Sequence, residues 1–132
     1  MRFTERELTV ALEGAAKSVL AVQDKSVRKG RRTAEDAWAE LTRMQRFQLL
    51  DGLGDQLLPV LVALPDVEVE PGTRPTFTDA QVRATVEERL GGQAKGIKGR
   101  VRVEASMALT KIALGHLPPR ADPDALIVPD HL

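Results

Sequence analysis

Cysteine is missing from the chain altogether, which removes disulfides, thiolate metal sites and cysteine nucleophiles together and fits a reducing compartment. Tyrosine is missing too, and one tryptophan with three phenylalanines leaves little from which to build base-stacking platforms, so the core must be assembled from Leu, Val and Ala. Net charge is also absent: nineteen basic and nineteen acidic side chains cancel, and no overall field draws the chain toward nucleic acid or anionic lipid. The longest uninterrupted apolar run, Leu57 to Leu64, falls far short of the ~20 residues a membrane helix needs. The N-terminal MRFTEREL alternates charge with apolar residues and lacks the apolar centre of a secretory signal. The expected location is cytoplasmic, with no membrane partner.

What is present points to one helical domain. At 132 residues and 42% hydrophobic the chain can remove roughly two-thirds of its unfolded surface from water. We expect a single domain over residues 1–118 and an acidic, proline-containing tail over 119–132, in which Leu126-Ile127-Val128 is either a docking strand or a sticky end.

Local signals mark the helices. In Phe3-Thr4-Glu5-Arg6-Glu7-Leu8, Thr4 is an N-cap, Glu7 returns the hydrogen bond, and Phe3 can staple onto Leu8. Leu8, Leu12, Ala15, Ala16, Val19 and Leu20 then recur at three- and four-residue spacing, one stripe of a helix. Thr33 caps a second helix whose first turn carries Glu35 and Asp36. Phe77-Thr78-Asp79-Ala80-Gln81-Val82 repeats the first signal, and Gly91-Gly92 stops the helix that follows.

The densest apolar stretch is Trp38 to Leu64, where Phe47, Leu50, Leu53, Leu57, Leu61 and Leu64 advance by three or four. Gly52 and Gly54 cost about 1 kcal/mol each in a helix interior, so we expect two helices broken between Leu50 and Asp55, with Asp55 as a cap and Pro59 near the second start. One kinked helix is the alternative. Asp66-Val67-Glu68-Val69-Glu70 alternates like a strand, and Val101 and Val103 can pair with it. The predicted fold is thus mainly α, a compact bundle of four to six helices with at most a small β element.

Two glycine-containing basic segments stand out: Lys25, Arg28, Lys29, Arg31 and Arg32 in the first, Lys95, Lys98, Arg100 and Arg102 in the second. Both read as loops. They lie 70 residues apart and the helix starts at Thr4 and Thr78 lie 74 apart, the order expected of an internally duplicated helical hairpin. If the copies bring the loops onto one surface, nine positive charges attract phosphate; otherwise both are solvated connectors.

The glycine- and carboxylate-containing stretches depart from the ligand-binding patterns they resemble in part. Asp51-Gly52-Leu53-Gly54-Asp55 has Leu where a calcium loop needs its third-position ligand, and Gly91 to Gly96 continues Ile97-Lys98 rather than Lys-Ser or Lys-Thr. His116 sits at a helix C-terminus, where its charge is welcome, and a metal site from His116, Asp122, Asp124 and His131 has no support beyond the residue types. No cofactor and no catalytic motif is identified; an enzyme requires buried carboxylates or His116 to converge in a pocket. The expected function is a non-catalytic interaction or regulatory module that self-associates, with Trp38, Phe47, Leu50, Leu53, Leu57, Leu61 and Leu64 as its partner or core surface. Nucleic-acid or phosphate-ligand binding through the segments 25–32 and 95–102 is the alternative.

Overall fold

Four threonines start four helices by the same device. Thr4, Thr33, Thr42 and Thr78 each accept a hydrogen bond from the backbone N–H three residues on, while Glu7, Asp36, Gln45 and Gln81 accept one from the cap residue's own N–H. The helices so begun are α1 (Glu5–Gln23), α3 (Ala34–Glu40), α4 (Arg43–Ala63) and α5 (Asp79–Leu90). Between α1 and α3 lies the short α2 (Lys25–Arg28), capped by Asp24, and a 3-10 turn (Gly91–Ala94) joins α5 to α6 (Gly96–Gly115). This computed structural model describes residues 1–120. The expectations for the acidic tail, including Leu126 to Val128, Asp122, Asp124 and His131, lie outside the described residues.

The six helices form the expected mainly-α bundle, with no strand among the described residues. Helix α1 packs on α3, α4 and α6, and α5 packs on α4 and α6. Ala11, Ala15 and Ala16 of α1, Leu53, Leu57, Val60 and Leu61 of α4, Val82 and Val86 of α5, and Val103, Met107 and Ala113 of α6 share one buried core. Small residues on α1 let its neighbours approach closely; at Gly14 a Cβ would stand 2.2 Å from His116 Cγ, so only glycine accepts that ring. Gly99 does the same for the 3-10 turn, where a Cβ would meet the Ala94 carbonyl carbon at 2.2 Å.

Three sequence expectations are corrected. Helix α4 runs unbroken through Gly52 and Gly54 and carries Pro59 well inside it; the break falls earlier, at Leu41 and Thr42, where α3 gives way to α4. Burial explains the outcome: Leu53, Leu57, Val60 and Leu61 are all buried, at roughly 1.5–3 kcal/mol each, against about 1 kcal/mol per glycine. Val101 and Val103 are helical in α6 rather than a strand partner for Val67 and Val69, which lie in an irregular connection. The segment 95–102 is the start of α6, not a loop, and 25–32 contains α2. The two halves do share a capped helix, a short helical connector and a second helix, but the second helices, α3 and α6, have 7 and 20 residues.

Both ends of the described chain are tied down. The Met1 ammonium donates to the Val62 (3.0 Å) and Leu64 carbonyls at the end of α4, where positive charge complements the helix dipole. Glu7 is 4% exposed, and Arg120 donates to both its carboxylate oxygens, from Nε to Oε2 at 3.1 Å and from Nη2 to Oε1 at 3.0 Å. The Arg120 N–H reaches the Thr73 carbonyl (2.7 Å) and the Gly72 N–H returns to the Arg120 carbonyl (2.8 Å), so the irregular 65–78 connection is fastened beside α1.

Candidate functional site

The first basic segment spends its most enclosed cation internally. Arg32 pairs with Asp24, the cap of α2, and with Glu40 at the end of α3. The hydrogen bond from Arg32 holds the Asp24 carboxyl below its ordinary range, and the same bond raises the Arg32 guanidinium. Lys25, Arg28, Lys29 and Arg31 are exposed. In the second segment Lys98 and Arg102 lie one turn apart on α6, whereas Arg100 points to the opposite flank. No hydrogen bond or ion pair joins the two segments among the described residues: Arg32 pairs with Asp24 and Glu40, and Arg102 with the Gln93 carbonyl. Helix α2 packs on α1, whereas the 3-10 turn that leads into α6 packs on α5 and α6.

The apolar candidates divide. Leu53, Leu57, Leu61 and Leu64 are buried, and Leu50 and Trp38 are half-buried against them. The tryptophan ring is flanked by Lys17 Nζ at 6.0 Å and the Arg46 guanidinium at 5.8 Å from its centroid, with Arg46 Nε also donating to the Trp38 carbonyl at 3.1 Å. These are structural contacts. Phe47 is 62% exposed, because at 100° per residue it sits at the edge of the stripe set by Leu53 to Leu64. The most exposed apolar stripe is one the sequence reading passed over: Ile97 (87% exposed), Val101 (64%), Ala105, Ala108 and Ile112 (38%) along α6, at spacings of four, four, three and four. That spacing was its available signal.

A cavity of about 530 Å³ opens between α4, α5 and α6. Pro59, Val60, Val86, Leu90 and Leu109 give it an apolar floor, and Asp55, Arg89 and Arg102 line it as charged groups. Pro59 has no N–H to offer the Asp55 carbonyl four residues back, so a backbone acceptor freed from the helix ladder belongs to the same wall. No side-chain hydrogen bond or ion pair within the described residues engages Arg89, and Arg102 donates only to the Gln93 carbonyl, at 3.3 Å.

A second polar constellation joins α1 to the end of α6. Ser18 Oγ and His116 Nε2 are 3.1 Å apart, beside a smaller hollow of about 380 Å³ that also includes Lys17 and Glu35, themselves paired at 3.0 Å. A nucleophile–base pair needs a third group to orient the base, and no carboxylate is hydrogen-bonded to His116 among the described residues. The buried Glu7 carboxylate is engaged by Arg120 and the Thr4 N–H. Among the described residues no group of three or more His, Asp or Glu is placed to hold a metal ion, and no helix is long and apolar enough to cross a membrane. Comparison with protein-family models, curated proteins and solved structures finds no match.

Proposed function

We propose that the chain is a non-catalytic self-association module in which two copies pair through the outer face of α6. The observation that carries this is the stripe from Ile97 to Ile112, whose first member is 87% exposed; an apolar stripe of this length on a bundle already buried on its other side marks a contact surface. Its residue sizes are self-complementary. In an antiparallel pair about a twofold axis near Glu104 and Ala105, Ile97 meets the partner copy near its Ile112, Val101 meets the Ala108 level, and the alanines at the centre permit close approach, so one patch serves both copies and the assembly closes as a dimer. Two of the charges that border the stripe are matched within the chain: Glu104 pairs with Arg83 at 2.7 Å and Lys111 with Asp79 at 3.0 Å.

Sedimentation at micromolar concentration tests the reading. Wild type is expected as a dimer, with a melting temperature that rises with protein concentration, and Val101→Glu as a folded monomer lacking that dependence. A wild type that sediments as a monomer sinks self-association, and a dimer that persists in Val101→Glu moves the interface away from α6.

A further inference from the structure

We infer that the cleft between α4, α5 and α6 is a binding site for an amphipathic monocarboxylate, an anion with an apolar tail. Its volume, about 530 Å³, lies within the range of small-molecule sites, and its make-up matches them: an apolar bed with few polar groups. The bed is Val60, Val86, Leu90 and Leu109, which accepts a hydrocarbon body. The head-group preference comes from Arg89 and Arg102, contributed by different helices and lacking any carboxylate partner among the described residues; a guanidinium fork is matched to a planar carboxylate. Asp55 lines the same cleft without pairing to either arginine, so the local balance is a single positive charge. One negative charge is complementary to that balance, whereas a phosphate dianion leaves an excess that faces Asp55.

Ala105 borders the cleft and also belongs to the exposed stripe of α6, so the test includes a variant of the stripe outside the cleft lining. The full-length chain is titrated calorimetrically with decanoate, 1-decanol, acetate and decyltrimethylammonium, in wild type, in Arg89→Ala/Arg102→Ala, and in Arg28→Ala/Arg31→Ala, which removes the same charge from the first basic segment. Decanoate is expected to bind about tenfold or more tightly than decanol, acetate and the cation not measurably, and only the Arg89→Ala/Arg102→Ala protein should lose the preference for decanoate. The Val101→Glu protein should bind decanoate as wild type does, which keeps this result independent of self-association. Equal binding of decanoate and decanol to wild type, equal losses in the two arginine pairs, or no saturable binding of decanoate would each overturn the assignment.

Discussion

Replacing Gly52 and Gly54 by alanine should stabilise the protein, although both interrupt its most apolar stretch. Neither has a positive φ, so neither is required for backbone conformation. A Cβ at Gly52 meets nothing within 4 Å, and one at Gly54 meets Leu58 Cδ1 at 3.7 Å, an ordinary contact. Each substitution therefore recovers close to the full helix-propensity difference, about 1 kcal/mol, and the pair about 2 kcal/mol if the sites add. With an unfolding entropy of about 2.1 cal/mol/K per residue, that raises the melting temperature by roughly 7 °C. Far-UV circular dichroism followed through urea and thermal unfolding reads the effect, with an unchanged denaturant slope showing that the same surface is exposed. Gly91→Ala serves as the control: its φ of +55° disfavours any side chain, and it should lose about 1 kcal/mol or more. Unchanged or lowered stability in Gly52→Ala would mean that the chain breaks there after all and that the continuous α4 is wrong.

Two further outcomes follow from other contacts. Gly14→Ala should destabilise by about 1–3 kcal/mol through overpacking against His116, yet stabilise by up to about 1 kcal/mol in a His116→Gly background, where only propensity remains; urea melts of the four proteins in this cycle decide, and the same sign in both backgrounds refutes the contact. Asp24 is held below its ordinary value of 3.8, first by its hydrogen bond from Arg32 and then by the Val27 N–H. A depressed folded value means that the carboxylate contributes stability above the unfolded value and loses it as pH falls through the folded one. The stability gap between wild type and Asp24→Asn, measured by urea unfolding from neutral pH into the acid range, should therefore shrink below about pH 3.8; a gap that is flat with pH removes the ion pair from the account.

The legible parts of this fold are those written within four residues. The cap boxes at Thr4, Thr33 and Thr78 could be read directly because cap and partner are three positions apart. Thr42-Arg43-Met44-Gln45 is the same box, but the apolar periodicity from Trp38 onward and the glycine pair drew the expected break ten residues too late. Propensity placed it there; burial against α1, α5 and α6 overrode it. Val101-Arg102-Val103 reads as strand on alternation alone, and it is helical because Val103 and Met107, one turn apart, enter the core. The basic segments were visible as composition, but their placement in α2 and at the start of α6 was not. The cleft had no sequence signature, since Pro59, Arg89 and Arg102 come from three helices and become neighbours only when the bundle forms.

The exposed stripe and the cleft meet in the part of α6 that local structure supports least. Lys95 gives no side-chain cap, Lys98, Arg100 and Arg102 place positive charge where the helix dipole is already positive, and Gly96, Ile97, Gly99 and Val101 are modest or poor helix formers. What holds these first turns is packing: Gly99 against Ala94 and Val103 in the core. A second copy over Ile97 and Val101 adds burial to these turns, and an anion beside Arg102 offsets the charge that opposes them. Both proposed contacts therefore supply what the sequence withholds from one stretch of helix, a physical reason for that stretch to be apolar on its exposed side and basic near its start at once.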